Sequence, residues 1–309
     1  TATGAAGFVE DLNASFGAST GTGAGLISGS GSLNGILVGT NSTAGNGAMT
    51  VSVNTAAAGI VNGGIAVNYA SAGAVAGVSN GLGVLSVGSE SYGVNGNIEA
   101  IANVINQASP QLNNPIIDLG AMRVGAASPT ANVSVSNLAT VAPQAALNAS
   151  ISPSSGPVTA SGSFNLLNPG ATDNTSLTVG LATTTAGNFT GANAGQATIA
   201  FVSDASNVGG CAPNCELNLA SQTVSVAGKV YTQAVGDVAP ASIDFGVVRV
   251  GDTVSAQNIT VQNVAALSAL NDTMRAELTA AGPFVGGGPV SGIGAGDSAS
   301  IGVGLNTSA

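Results

Sequence analysis

The sequence predicts an all-β protein assembled from tandem antiparallel β-sandwiches, and three observations carry that prediction. A ten-residue phrase occurs twice, IIDLGAMRVG at 116–125 and SIDFGVVRVG at 242–251, with 126 residues from one start to the next. Self-similarity at so long a period marks a domain-sized repeat, whereas a β-solenoid would repeat every 20–30 residues or so. Apolar residues also alternate with small polar ones, as in NVSVSN (132–137) and NITVQN (258–263). That period of two places the aliphatic side chains on one face of a strand. Finally, clusters such as SPSSGP (152–157), LNPGATDN (167–174) and GPFVGGGP (282–289) separate these stretches and read as turns. Short strands broken by turns within a unit of roughly 120 residues are the pattern of a sandwich.

Taken in chain order, further segments recur. LNAS at 12–15 returns at 147–150, and AMTVSV (48–53) returns as SLTVGL (176–181) and SIGVGL (300–305). The stretch 65–69 matches 197–201, which puts Tyr69 and Phe201 at one repeat position. LSVGSESYGVNGNI (85–98) lies on LNLASQTVSVAGKV (217–230) without a gap. IEAIANVIN (98–106) is the best candidate for a short helical turn and reads equally as a linker. The expected organisation is a repeat lacking its first strands (1–100), a linker (101–114), a complete repeat (115–236) and a repeat lacking its last strands (237–309). Both termini fall inside repeats, so the chain reads as a window on a longer one.

Composition narrows the function. Charged residues make up 6% of the chain, against roughly 25% in an ordinary soluble domain. The four basic residues are Arg123, Lys229, Arg249 and Arg275, and the net charge is −10. Such a surface is unsuited to nucleic acid, whose phosphates need basic partners, and to anionic membranes. No apolar run approaches the roughly 18 residues of a membrane span. Hydrophobic content of 44% supports a packed core.

At Ile243–Gly251, followed by the strand ending NITVQN, the chain resembles the immunoglobulin-like repeats called ASH or choice-of-anchor D domains, found in bacterial surface and secreted proteins. Residues 116–137 carry a second copy, with Leu119 in place of Phe245 and Met122 in place of Val248. The resemblance implies tandem immunoglobulin-like antiparallel β-sandwiches, each of seven to nine strands, serving outside the cell as a stalk or binding module. It brings no catalytic residues with it.

Few residues invite chemistry. Cys211 and Cys215 enclose Ala212-Pro213-Asn214. A metal site would need about four ligands, a CxxC redox motif has two intervening residues, and a local disulfide across a turn is the reading preferred here. Asp118 and Asp244 recur beside Gly120 and Gly246, as turn-capping carboxylates or as weak calcium or inter-domain ligands. Arg123 and Arg249 recur as well, either pairing with an acid on the next unit or standing at the surface. The chain contains no histidine, so a Ser-His-Asp arrangement is excluded. Nothing singles out Glu90 with Glu99, or Asp237 with Asp244, as a carboxylate pair. The glycine-rich stretch 21–31 lacks the GK[ST] ending of a phosphate loop. No catalytic, metal or cofactor site is expected.

The expectation is a non-enzymatic structural protein of the cell exterior, a stalk, surface layer, adhesin or filament, whose partners are copies of itself or other surface components. One variant has the partial end units complete one another between chains. The alternative is a carbohydrate- or protein-binding accessory region of a larger secreted protein, with Tyr69, Tyr92, Phe189 and Phe284 as the available aromatics.

Overall fold

A computed structural model describes residues 9–40, 49–90, 98–206, 208, 211 and 215–308. Strands account for nearly all of the regular structure, and helix among the described residues is confined to two 3-10 turns, Ala24–Leu26 and Gly191–Asn193. The alternating stretches are strands, as expected.

Three sets of strands follow one another. The first comprises β1 (Leu12–Thr22), β2 (Ile27–Ser30), β3 (Ser32–Ile36), β4 (Thr50–Val53), β5 (Gly59–Ser71), the short pair β6 (Ala74–Val75) and β7 (Val78–Ser79), β8 (Leu85–Glu90) and β9 (Ile98–Val104). Its main sheet runs β3-β1-β5-β8, with β9 also on β5, and β2 pairs with β4. The second set holds β10 (Pro110–Leu112), β11 (Ile116–Arg123), β12 (Thr130–Asn137), β13 (Ala146–Ser155), β14 (Val158–Ser161), β15 (Ser163–Leu167), β16 (Thr172–Leu181), β17 (Gly187–Phe189), β18 (Gly195–Asp204) and β19 (Glu216–Tyr231). They form two sheets, β10-β12-β16-β14 and β11-β19-β18-β13-β15 with β17 on β19. The third set is β20 (Gly236–Ala239), β21 (Gln257–Asn263), β22 (Met274–Ala276), β23 (Phe284–Gly286), β24 (Val290–Ile293) and β25 (Ser298–Leu305), in a β20-β21-β25-β23 sheet and a β22-β24 pair.

The second set is sandwich-like. Val133, Val135, Leu177 and Val179 from one sheet meet Leu147, Ile199, Phe201 and Val224 from the other, and all are buried. Burying each such side chain contributes about 1.5–3 kcal/mol, so this is the molecule's principal core. The first set has a small buried cluster, Ile27, Val61 and Ile65, flanked by Phe16, Val51 and Val53.

Strand register reproduces the repeats read from sequence. Leu12, Ala14 and Ser15 face Ile36, Leu33 and Ser32, as Leu147, Ala149 and Ser150 face Leu167, Phe164 and Ser163. Both pairs slip at the same place, and there an LNAS asparagine accepts a backbone N–H: Gly35 donates to Asn13 Oδ1 (2.9 Å) and Leu166 to Asn148 Oδ1 (2.7 Å). Ala14 lies opposite Tyr69 as Ala149 lies opposite Phe201.

Three expectations need correction. The segment 98–106 is not helical, because β9 pairs residue by residue with β5; ladder bonds from a neighbouring strand override weak local helix preference. Residues 101–114, read from sequence as a linker, include the end of β9 and all of β10, which leaves the expected repeat boundaries as they were. The gap-free match of 85–98 to 217–230 holds in register at Glu90, which faces Val67 as Gln222 faces Ile199. It fails at Ile98, which faces Ile65 as Val224, not Val230, faces Ala197. Among the described strand pairs, β11 with β19 is also parallel rather than antiparallel.

Candidate functional site

Of the residues that recur in sequence, the asparagines that end the alternating strands, Asn137 and Asn263, lie at the joints between successive strand sets. At the first joint the chain leaving β9 bonds to the second set: Asn106 N–H donates to Pro143 O (2.9 Å), and Ala145 N–H to Asn106 O (2.9 Å). At the second, Thr232 N–H donates to Leu270 O (2.8 Å) and Asp272 N–H to Thr232 O (2.8 Å). The same two-bond clasp is thus made twice.

Behind each clasp sits a wholly buried asparagine, the last residue of each alternating strand. Asn137 and Asn263 are both 0% exposed. Asn137 Oδ1 accepts Ser109 N–H (2.9 Å) and its amide donates to Leu167 O (3.0 Å). Asn263 Oδ1 accepts Val235 N–H (3.1 Å) and its amide donates to Ile293 O (3.1 Å). Each side chain ties the incoming strand to the body of its own set, satisfying backbone groups that burial would otherwise leave unpaired. Sequence reading recorded these asparagines as part of a motif and missed their role; the available signal was a polar residue on the apolar phase of two alternating strands.

The aspartates of the signature are turn caps. Gly120 N–H donates to Asp118 Oδ1 (2.9 Å) and Gly246 N–H to Asp244 Oδ1 (2.8 Å). The glycines hold φ of 76° and 68°, a region costly for residues with a Cβ. The two aspartates are not brought together, and no group of three or more His, Cys, Asp or Glu converges among the described residues.

The arginines diverge. Arg123 forms an ion pair with Asp272 across the second joint, with the arginine side chain largely in solvent; such a pair is worth about 0–1 kcal/mol. Arg249 forms no ion pair with a described residue, and its backbone N–H donates to Asp252 Oδ2 (3.0 Å). Beside the Arg123–Asp272 pair lies an open cleft of about 610 Å³, lined by Met122, Tyr231, Asn271 and Thr273 among others. The Asn271 amide nitrogen and oxygen are buried without a hydrogen-bond partner among the described residues.

The remaining candidates are scattered. Cys211 and Cys215 form a disulfide with Cα atoms 5.2 Å apart; residues 212–214 lie outside the described residues. Phe201 is buried, Tyr69 is half-buried, and Phe189 packs against the principal core. Phe284 is exposed and lies 6.2 Å from Phe245, centroid to centroid. Tyr92 and the side chains of Glu90 and Glu99 lie outside the described residues, while Asp237 and Asp244 are exposed. The glycine-rich 21–31 stretch is strand and tight turn: a Cβ at Gly21 would sit 2.7 Å from the Gly63 Cα.

Two carboxylates that sequence reading passed over are held well. Asp204, buried at the end of β18, accepts Ser206 N–H (2.8 Å) and the Asn148 amide (2.9 Å). Hydrogen bonds from Ser206, and then from Asn148, hold its carboxyl below the ordinary aspartate range, against the opposing effect of burial. Glu10 is lowered likewise by the Ser71 hydroxyl and the Asn80 amide. No helix among the described residues is long and apolar enough to cross a membrane. Neither a protein-family model nor a curated protein sequence matches the chain.

Proposed function

We propose that the protein is a structural element of the cell exterior, in which tandem immunoglobulin-like repeats form a stalk, surface layer or filament. The observation that supports this most is the duplicated joint. Equivalent atoms make the same bonds at 106 and 232, and a buried asparagine braces each. A spacer needs a joint of this kind, because orientation repeated from unit to unit turns a string of modules into a semi-rigid rod. The low-charge Ser/Thr/Asn surface suits close packing, with little repulsion to screen. Small-angle scattering from the purified chain tests the reading. A rod-like distance distribution is expected, and a compact one would overturn it.

One observation favours a second reading, a carbohydrate-binding accessory region. Tyr231 lines one open cleft together with Arg123 and Asp272, a combination of ring and hydrogen-bonding groups that suits a sugar. A glycan array separates the two, since a bare spacer binds no glycan.

A further inference from the structure

The loop that joins β5 to β8 is held by two acids. Asp11 accepts Ala76 N–H (3.0 Å) and Gly77 N–H (2.8 Å). Glu10 accepts Gly73 N–H (3.2 Å), the Ser71 hydroxyl and the Asn80 side-chain amide. Ser71 faces Leu85 as Ser203 faces Leu217, so residues 72–84 correspond to 204–216, where Cys211 and Cys215 are bridged. One loop is stapled covalently, and its counterpart is tied through carboxylates.

Asn80, a member of that tie, precedes Gly81. An Asn-Gly pair is prone to lose ammonia, because glycine puts no side chain beside the attacking backbone nitrogen. Three such pairs lie among the described residues, Asn34-Gly35, Asn62-Gly63 and Asn80-Gly81, and the fold treats them differently. Gly35 N–H is already donated to Asn13 Oδ1. Asn62 and Gly63 sit in β5 between β1 and β9, with Gly63 buried, so ring closure there would have to break a ladder. Asn80 and Gly81 are exposed, and a Cβ built at Gly81 would meet nothing within 4 Å. Asn80 Oδ1 accepts Leu82 N–H (3.0 Å). That bond polarises the side-chain carbonyl and strengthens as negative charge develops on its oxygen. Gly81 N–H donates to Ser79 Oγ (3.3 Å), a hydroxyl placed to receive the proton that the nitrogen must lose.

We propose that Asn80 is a site of spontaneous deamidation, and that its conversion unties residues 72–84 from Glu10. Gly81 N bonds to Asn80 Cγ, the Cγ–Nδ2 bond breaks, and ammonia leaves with the proton that Gly81 N gives up. Water then opens the cyclic imide at either carbonyl, leaving an aspartyl or a β-linked isoaspartyl residue at position 80. One water is consumed and one ammonia released, so the step needs no oxidant, reductant or further reactant. The amide that donated to Glu10 becomes a carboxylate, which has no proton to donate and places a like charge beside the Glu10 carboxylate. Gly73, tied to the same Glu10 oxygen as Ser71, is the backbone group that this repulsion loosens.

The test uses the folded full chain, held in mildly alkaline buffer and sampled over time by peptide mapping with mass spectrometry. Asn80 is expected to convert at least about tenfold faster than Asn34 or Asn62. In concentrated urea the three are expected to draw level, because local sequence alone then sets the rate. Asn80→Asp reproduces the aspartyl product without the wait. It is expected to speed amide hydrogen exchange at Gly73 at least about tenfold while leaving Val133–Val135 unchanged. Conversion of Asn34 or Asn62 as fast as Asn80 in the folded chain, a preference for Asn80 that survives urea, or unchanged exchange at Gly73 would each overturn the proposal.

Discussion

Asn137 concentrates much of what the second strand set needs. Its side chain is sealed from solvent and joins Ser109 N–H to Leu167 O. Replacing it with alanine strands both backbone groups in the interior, and each unsatisfied group costs about 1–3 kcal/mol. Asn137→Ala is therefore expected to lower the unfolding free energy by about 3 kcal/mol in urea titrations, and a loss within the range of a surface change would show that water replaces the side chain. Asp204 makes a prediction in pH. Its folded-state value is depressed by bonds from Ser206 and Asn148, so its stabilisation is present above the ordinary aspartate range, near pH 4, and is lost as pH falls through the folded value. Stability measured against Asp204→Asn is expected to differ at neutral pH and to converge in acid; a pH-independent difference would contradict this. Legibility at this scale was uneven. The turn role of Asp118 and Asp244 followed from Asp two residues before Gly, whereas Asp204 and Asn137 look like any other polar residue until their partners, distant in sequence, are known.

Turns and bulges decide the elements. Between β14 and β15 the chain crosses at Gly162 from one sheet of the second set to the other, with φ 113°, and a Cβ there would lie 1.9 Å from Ser176 O in β16. No side chain can shift to relieve a clash with backbone. Gly162→Ala is expected to cost at least about 2 kcal/mol, read as a lowered melting temperature, while Gly170→Ala, whose Cβ would meet only Ala139 Cβ at 3.6 Å but whose φ is 80°, should cost less. Strands were legible because alternation is a local property, visible in NVSVSN and NITVQN. The segment 98–106 was not, since IEAIANVIN has no clean period of its own and is extended by β5. The parallel pairing of β11 with β19 was equally hidden, because sequence alternation says which face is buried and not which way a neighbour runs.

Across the whole molecule the three strand sets are unequal. The second closes a core from two facing sheets, the first keeps three residues in its buried cluster, and the signature of the third lies in solvent at Val247 and Val250. Local stability follows buried apolar contact, so amide hydrogen exchange is expected to be slowest at Val133–Val135 and Ile199–Phe201 and faster by at least about tenfold along residues 242–250. Uniform protection would contradict this ordering. The sequence by itself determined the strand class, the repeat length and the pairing of equivalent residues, because alternation and self-similarity are carried by side chains close together along the chain. The tertiary structure alone decided which copies of a repeated segment find a neighbour. The same signature is a core strand at 116–123 and an exposed loop at 242–249, since β structure is made by hydrogen bonds to another strand and a segment cannot supply its own partner.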